Sequence, residues 1–435
     1  MKPVRGTPAQ GLMGATVGFF VGFAAVSLFG PTVKHLQQAA GLSAGLAGLL
    51  ISIPNLTGSL LRIPFSAMCN RDGGRLAFLI LLITAAVGLA GIWGLLAFVP
   101  DRLGKLFPLL LVFGALGGAG IATFSVGISQ TSFWYPQKTQ GSALAAYAGI
   151  GNIAPGLFAL LLGMLIPVID LAYSYLAWLV FLLLGIAAYW VLGRNAPSFQ
   201  LERAGLSRTE ACAEARRHHG QDIFPKGNTL HVLQESAKLW QTWALVFIYF
   251  TTFGGFMALT GWLPKYWSSC WGFDVARMGM LTALFSITAS IIRIGGGPLA
   301  DRLGGEKTAL GSLALIALGA AVMTRAANVQ QAVGGIVLLA LGMGVGNAAT
   351  FKLVPQEVPH AIAGASGWVG GLGAFGGFVI PNVLAAFLTN GDAGDRGYAT
   401  GYWTFAVLAA AAALLVLAMH ASRLRRERTA RFVDS

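Results

Sequence analysis

Apolar residues occupy twelve long runs of this chain, and a shorter polar stretch separates each run from the next. A helix needs about 20 mainly apolar residues to cross a bilayer, which is close to the length of these runs. The pattern therefore predicts an all-α membrane protein with twelve transmembrane helices. The predicted spans are 11–30, 43–67, 76–99, 107–133, 141–166, 172–193, 240–263, 276–300, 308–325, 331–350, 361–388 and 399–420.

The longest polar stretch, residues 194–238, lies between the sixth and seventh runs and is rich in Arg, Glu and His. We interpret it as a solvated central loop with room for a short amphipathic helix. It divides the chain into an N-terminal six-helix half, 1–193, and a C-terminal six-helix half, 239–422. A basic tail, 423–435, follows the second half.

Composition agrees with this picture, since 56% of the residues are hydrophobic and only 10% are charged, against about a quarter in soluble domains. The lipid bilayer is thus a predicted partner. The net charge of +13 does not indicate a nucleic-acid partner, because the basic residues lie in short loops and in the tail. Twenty of the 29 Lys and Arg residues fall on the side of the chain ends and seven on the opposite side. This bias predicts a multi-pass protein of the cell (inner) membrane with both termini in the cytoplasm.

Residue types that carry catalysis or metal binding are sparse. The three cysteines have no ligand spacing, and the six histidines lie in predicted loops or at the ends of spans. An enzyme would need a clustered catalytic set. The sequence therefore predicts neither an enzyme nor a bound metal or cofactor.

One sequence pattern occurs in both halves. Residues 57–63 resemble residues 288–294, and Arg62 and Arg293 occupy the same position of the two copies. Two shorter segments also match: residues 122–124 resemble residues 349–351, and residues 148–151 resemble residues 370–373. Parallel repeats of this kind imply two pseudo-symmetric halves with a site between them near the middle of the membrane.

A buried arginine is costly, about 2.5 to 3.5 kcal/mol on insertion scales, and is a functional-site hypothesis by default. All 16 Asp and Glu residues fall in predicted loops, in the tail or at the ends of spans. The missing counter-ion of Arg62 and Arg293 is then most simply a small anionic substrate, and the planar guanidinium fork suits a compact planar oxyanion. The alternative is that each arginine bonds to backbone carbonyls or extends to the membrane surface.

Residues 120–156, which include Ser-Phe-Trp-Tyr-Pro-Gln-Lys at 132–138, resemble the nitrate signature of the nitrate/nitrite porter family in the major facilitator superfamily. The stretch 249–256 and the glycine-rich segment 364–377 resemble the same family. The resemblance extends over essentially the whole chain. It implies the major facilitator fold and alternating-access transport of nitrate and nitrite, in nitrate assimilation or anaerobic respiration, and we expect a monomer.

The resemblance also assigns roles to residues of the site. It implies that Arg62 and Arg293 clamp the anion and that Asn152 offers an amide. Tyr249 contributes a hydroxyl group. The rings of Phe124 and Phe253 sandwich the flat ion. Ordinary helix packing is the alternative for the aromatic residues and for the asparagine.

Two further groups of residues are expected to serve the conformational change. Small residues allow helices to approach closely and to slide, which is the expectation for Gly149, Gly151, Gly371 and Gly373. Asp301 and Arg302 belong to a turn that resembles the superfamily's loop between spans 8 and 9. Its counterpart between spans 2 and 3 has Asn70 where an aspartate is usual, so we expect a weakened charge contact between the halves at that place.

The sequence leaves the coupling open. Two unneutralised arginines make an empty return costly, which favours exchange of nitrate for nitrite. The segment 251–256, continuing to 262–266, resembles the proton-linked branch of the family, which gives a slight preference for nitrate–proton symport and would add protons as partners. A carrier of phosphate or an organic anion and a membrane sensor for anions also stay open, although the central loop is short for a signalling domain.

Overall fold

The computed structural model describes residues 4–225, 229–359, 361–389 and 395–433, and every regular element in these ranges is a helix. Twelve helices are long and apolar enough to span a membrane, as predicted. The spans are numbered 1 to 12 in chain order: Pro8–Ser27, Ala44–Asp72, Arg75–Phe98, Phe107–Trp134, Lys138–Ile169, Leu171–Leu192, Trp240–Cys270, Val275–Leu303, Gly305–Arg325, Val329–Glu357, Gly364–Leu388 and Gly397–Arg425.

Several spans are longer than their apolar runs, and two charged residues that were predicted in loops lie in helices. Lys265 lies inside span 7, and only 4% of its surface is exposed. Glu357 is the last residue of span 10 and is 3% exposed, with Arg423 3.6 Å away. The helices continue past the apolar runs because tertiary packing, in addition to hydropathy, determines where a helix ends.

With twelve spans, the central segment and both chain ends lie on one face, which we call the terminal face; the other is the opposite face. The two halves pack tightly towards the opposite face, where small residues bring backbones together. A Cβ atom added to Gly30 would lie 2.3 Å from the carbonyl oxygen of Gly261, and one added to Gly279 would lie 2.6 Å from that of Ala159. At these two points the halves are in direct backbone contact.

Side-chain hydrogen bonds reinforce this closure. Asn382 in span 11 donates to the hydroxyl group of Ser52 in span 2 at 2.8 Å. Asn55, also in span 2, donates to the carbonyl oxygen of Gly377 at 3.1 Å. Both bonds join one half to the other, so the opposite face can open only if they break.

The central segment contains more helix than the one short amphipathic helix for which the sequence left room. Its described residues form three helices, Pro197–Arg203, Arg208–His219 and Thr229–Ala237. Phe199 is 4% exposed and packs on Phe133 at 5.1 Å between ring centroids. The Asn195 side chain donates to the carbonyl oxygen of Asp72 and accepts from the backbone N–H of Arg75. The segment therefore caps the turn between spans 2 and 3.

Several of the spans that contribute residues to the interior of the bundle depart from regular α geometry near their middle, although spans 5 and 8 are continuous α-helices. Span 2 turns at Leu61, directly before Arg62, and span 7 contains a π-helical turn, Phe250–Gly254. Short 3₁₀ turns occur in span 4, at Ala119–Ala122, and in span 11, at Gly373–Phe375. Such irregular turns inside helices are frequent at functional sites.

Candidate functional site

Four residues from four different spans meet in the interior of the bundle. The guanidinium carbon of Arg62 lies 4.9 Å from the ring centroid of Phe124 and 5.1 Å from that of Phe253. The corresponding distances from Arg293 are 5.5 and 5.4 Å. Both arginines thus share the same two rings, one from each half of the chain. The structure brings the two repeated arginines to one place.

Stacked aromatic rings form the walls around the two arginines. The rings of Phe124 and Phe253 lie 5.6 Å apart and are inclined by 24°. Tyr249 stacks on Phe253 at 4.8 Å with an angle of 8°, as expected for residues four positions apart on one helix. Arg293 Nη2 donates to the hydroxyl oxygen of Tyr249 at 3.4 Å, a long and weak hydrogen bond.

Several N–H groups of the two arginines have no partner among the described residues. Arg62 is 1% exposed, and its Nη1 donates to the carbonyl oxygen of Gly370 at 2.8 Å. Its Nε and Nη2 atoms, and Nη1 of Arg293, are buried without a hydrogen bond. Buried donors on a charged group are costly to leave unsatisfied. The site can therefore accept an anion without breaking the bond to Gly370.

Asn152 lies in span 5 beside the helix that carries Arg293. It is 1% exposed, and neither side-chain atom, Nδ2 or Oδ1, has a hydrogen-bond partner in the described structure. Its carbonyl oxygen accepts from the hydroxyl group of Ser290 at 2.8 Å. Since Ser290 precedes Arg293 by about one helical turn, the free amide lies near the depth of that arginine.

The four glycines predicted to allow close packing all lie against side chains. A Cβ atom added to Gly149 would lie 2.4 Å from Ile294, and one added to Gly371 would lie 2.8 Å from Ile63. Both of these contacts join the two halves. The other two glycines touch the aromatic cluster: Gly151 lies against the Phe19 ring and Gly373 against Tyr249.

Three aromatic residues that the sequence reasoning missed support the walls. Tyr147 donates to the carbonyl oxygens of Thr123 and Phe124, both at 3.0 Å. The Phe19 ring packs on Phe124 at 5.2 Å, and Phe351 meets Tyr249 edge-on at 5.1 Å. Phe351 could have been found, because it ends the second copy of the repeated Ala-Thr-Phe sequence. Tyr147 and Phe19 have no such signal.

Comparison with known proteins identifies the fold family. The model of the Major Facilitator Superfamily matches residues 15–381 and, in an overlapping match, 245–433. A probable nitrate/nitrite transporter, NarK2 of Mycobacterium tuberculosis, is 30% identical over 425 residues, which cover 96% of this chain and 98% of the relative. The chain belongs to the nitrate/nitrite porter family of the major facilitator superfamily. It is therefore a transporter and not an enzyme.

Further members of the nitrate/nitrite porter family are similar over most of their length. The probable nitrate/nitrite antiporter NarK1 of Thermus thermophilus is 29% identical over 390 residues, which cover 85% of this chain and 83% of the relative. The nitrite extrusion protein of Bacillus subtilis is 28% identical, and the match covers 93% of each chain. Both relatives support the family assignment across the two halves.

Solved structures confirm the major facilitator fold. The xylose transporter XylE from E. coli, in a partially occluded inward open conformation, aligns with a TM-score of 0.69 and 17% sequence identity. The alignment covers 95% of this chain and 99% of that one. At this identity the likeness concerns the fold alone.

The major facilitator loop between spans 8 and 9 makes its charge contact inside one half. Asp301 Oδ1 lies 2.5 Å from Lys352 Nζ in span 10, because spans 8 and 10 are neighbours in the C-terminal half. In the first copy, Asp72 pairs with the adjacent Arg71 at 3.2 Å. Arg302 is exposed. Both aspartates thus pair within their own half, and the weakened contact between the halves at Asn70 stays a prediction.

We predict that Tyr249→Phe raises the KM for nitrate about tenfold, since one hydrogen bond to a charged group contributes about 1.5 kcal/mol. Initial uptake rates in proteoliposomes over a range of nitrate concentrations measure this change. Tyr402→Phe is the matched control, because it removes a buried hydroxyl group outside the site, in span 12, which has no hydrogen-bond partner in the described structure. An unchanged KM in Tyr249→Phe would exclude its hydroxyl group from the site.

Proposed function

We propose that this protein carries nitrate and nitrite across the cell membrane by alternating access, with one anion clamped between Arg62 and Arg293. One observation carries the proposal: the guanidinium groups of Arg62, which is buried, and of Arg293, which is half-buried, converge on the same two phenylalanine rings. In the described spans no Asp or Glu lies at their depth, since the acids stand at helix ends or between helices. The relatives named as nitrate or nitrite transporters support the choice of anion.

Nitrate fits the chemistry of the site. It is flat, carries one negative charge and presents three oxygens in a plane, which matches two planar forks that donate in parallel. Arginine keeps its proton at any physiological pH, so the site stays cationic in both membrane orientations. One bound nitrate would neutralise one of the two positive charges and accept from the N–H groups that lack a partner.

The aromatic rings restrict how the anion enters. A flat ion between two parallel rings needs about 7 Å, twice the contact distance of roughly 3.5 Å, whereas Phe124 and Phe253 are 5.6 Å apart. Since the gap between the ring planes cannot exceed the distance between their centroids, the rings must separate by at least about 1.4 Å to admit the ion. Ring faces are negative and attract guanidinium groups, so they oppose an anion that comes without the arginines. Their contribution to binding is the exclusion of water, which strengthens the hydrogen bonds.

We propose that the structure is closed towards the outside of the cell and that the terminal face is cytoplasmic. The backbone contacts at Gly30 and Gly279 lie on the opposite face, together with the bonds of Asn382 and Asn55. Transport then requires the contacts on the opposite face to break and the two halves to come together at the terminal face.

We predict that Gly30→Val lowers the transport rate about tenfold, because overpacking costs about 1 to 3 kcal/mol and here opposes closure of the opposite face. Nitrate binding should be retained, since the site itself is unchanged. Uptake rates and nitrate affinity in the same preparation measure the two quantities. Gly94→Val is the control, because a Cβ atom there meets no atom within 4 Å. Equal losses of the transport rate in Gly30→Val and Gly94→Val would show that the contact of Gly30 does not control closure of the opposite face.

We propose exchange of nitrate for nitrite as the mode of coupling. An empty site would hold two unpaired cations during the return step, so the return is fast only with an anion bound. No acid at mid-depth in the described spans offers itself as a proton carrier. One relative is named an antiporter. Symport, which the segment 251–256 favours by resemblance, remains the second candidate.

Counterflow in proteoliposomes tests the function. Nitrate uptake is measured in vesicles loaded with nitrite or left empty, each with and without a pH gradient. We expect uptake that requires nitrite inside and does not respond to the gradient. Uptake driven by the gradient into empty vesicles would establish symport instead. Absence of nitrate uptake in all four conditions, with phosphate or an organic anion transported, would refute the nitrate assignment.

A further inference from the structure

Another buried cation lies outside the site described above. Lys265 in span 7 is 4% exposed, and its Nζ atom has one hydrogen bond, 3.5 Å long, to the carbonyl oxygen of Ala44. The face of Trp262 lies 5.2 Å from the same atom. Among the described residues no carboxylate pairs with Lys265. A buried ammonium group with so weak a set of partners needs an explanation.

Lys265 lies in the contact between the halves, close to the opposite face. Ala44 begins span 2 and belongs to the N-terminal half, whereas Lys265 belongs to the C-terminal half. Trp262, on the same helix, lies within 4 Å of the position that a Cβ atom on Gly48 of span 2 would take. Gly261 is the residue that meets Gly30. This stretch of span 7 therefore faces the other half.

Opening the opposite face must break the contact of Lys265. The hydrogen bond to Ala44 joins the same two halves as the glycine contacts, so it cannot survive their separation. The ammonium group then loses its one acceptor among the described residues and faces the mouth of the opened path. It lies twelve positions beyond Phe253 on the same helix, or roughly 18 Å along the axis. An entering anion would meet Lys265 before it reaches the arginines.

We propose that Lys265 is a second anion-binding residue of the transport path, which binds the small oxyanion at the opened opposite face and returns to Ala44 when that face closes. This inference rests on the proposed function. A lysine suits a transient role, because its ammonium group is a mobile point charge without the bidentate fork of arginine. The long bond to Ala44 suits it as well, since a weak contact is readily exchanged for an anion.

The experiment compares nitrate entry from the two faces. The protein is reconstituted in vesicles of defined orientation, and KM and maximal rate are measured for nitrate entering from each side. We expect Lys265→Gln to raise the KM about tenfold from the opposite face and to change it less than twofold from the terminal face, since one charge-assisted contact is lost. Lys265→Arg, which keeps the charge, should have the same KM as the wild type from both faces.

Lys34→Gln is the matched control, because Lys34 is exposed on the same face of the molecule. It should leave both KM values within twofold of the wild type, since a surface charge acts weakly through solvent. Equal changes from both faces in Lys265→Gln, or none, would overturn the inference while leaving nitrate transport established. Wild-type vesicles that carry no nitrate would overturn the proposed function, and this inference with it.

Discussion

Replacing Arg62 or Arg293 with lysine should lower nitrate transport about 100-fold, because lysine keeps the charge and loses the second parallel hydrogen bond, a loss of about 1.5 to 3 kcal/mol. The bond from Arg62 to Gly370 and the ring contacts of Arg293 hold each fork in place. A lysine cannot make both contacts and bind the anion. Initial rates of nitrate uptake, at equal amounts of reconstituted protein, measure the effect.

Matched controls exist on the same two helices. Arg71 stands near the end of span 2, with an exposed side chain, and Arg277 is exposed at the start of span 8. Arg71→Lys and Arg277→Lys should leave the rate within about twofold of the wild type, as surface substitutions usually change little. Wild-type transport in Arg62→Lys or Arg293→Lys, with the fold intact, would exclude that arginine from the site.

Gly373→Ala should lower transport about tenfold without unfolding the protein. The added methyl group would lie 2.7 Å from Cδ1 and 2.8 Å from Cβ of Tyr249, so the tyrosine must move. Its stacking on Phe253 and its contact with Arg293 would then be lost together. The cost of such overpacking is about 1 to 3 kcal/mol. Uptake rates together with thermal unfolding separate the loss of function from a loss of stability.

Gly370→Ala is the control for this prediction, since the nearest atom to its added Cβ is Ser125 Oγ at 3.9 Å. The backbone carbonyl group that accepts from Arg62 is unchanged by this substitution. Alanine also favours a helix over glycine by about 1 kcal/mol, so this variant should be at least as stable as the wild type. If both variants transported at the wild-type rate, the position of Tyr249 would not limit transport.

The helices could be predicted because hydropathy and length alone define a membrane span. The two arginines could be singled out because a cation inside an apolar run is rare and because both copies of the repeat contain one. Phe351 could have been predicted from the repeat as well, because it occupies the position of Phe124 in the second copy. The helices of the central segment could not be predicted from hydropathy, because its buried residues belong to a mainly polar sequence. Contacts with other parts of the chain stabilise them, such as those of Asn195 with the turn after span 2 and of Phe199 with Phe133.

Lys265 shows most clearly what hydropathy cannot provide. A lysine at the end of an apolar run usually reaches water, which is why hydropathy predicts it in a loop. Burial depends on the other half of the chain, since Ala44 and Gly48 cover this part of span 7. The walls formed by Phe19 and Tyr147 were missed for a related reason, because any aromatic residue in a hydrophobic span is compatible with ordinary packing.

The central claim is that one anion is held by both arginines at once. A double-mutant cycle on nitrate affinity tests it most directly: dissociation constants are measured for the wild type, Arg62→Lys, Arg293→Lys and the double variant. If the anion is shared, the arginines are coupled, and the double variant should bind within about threefold of the weaker single variant. Losses that multiply, as they do for independent sites, would contradict the clamp.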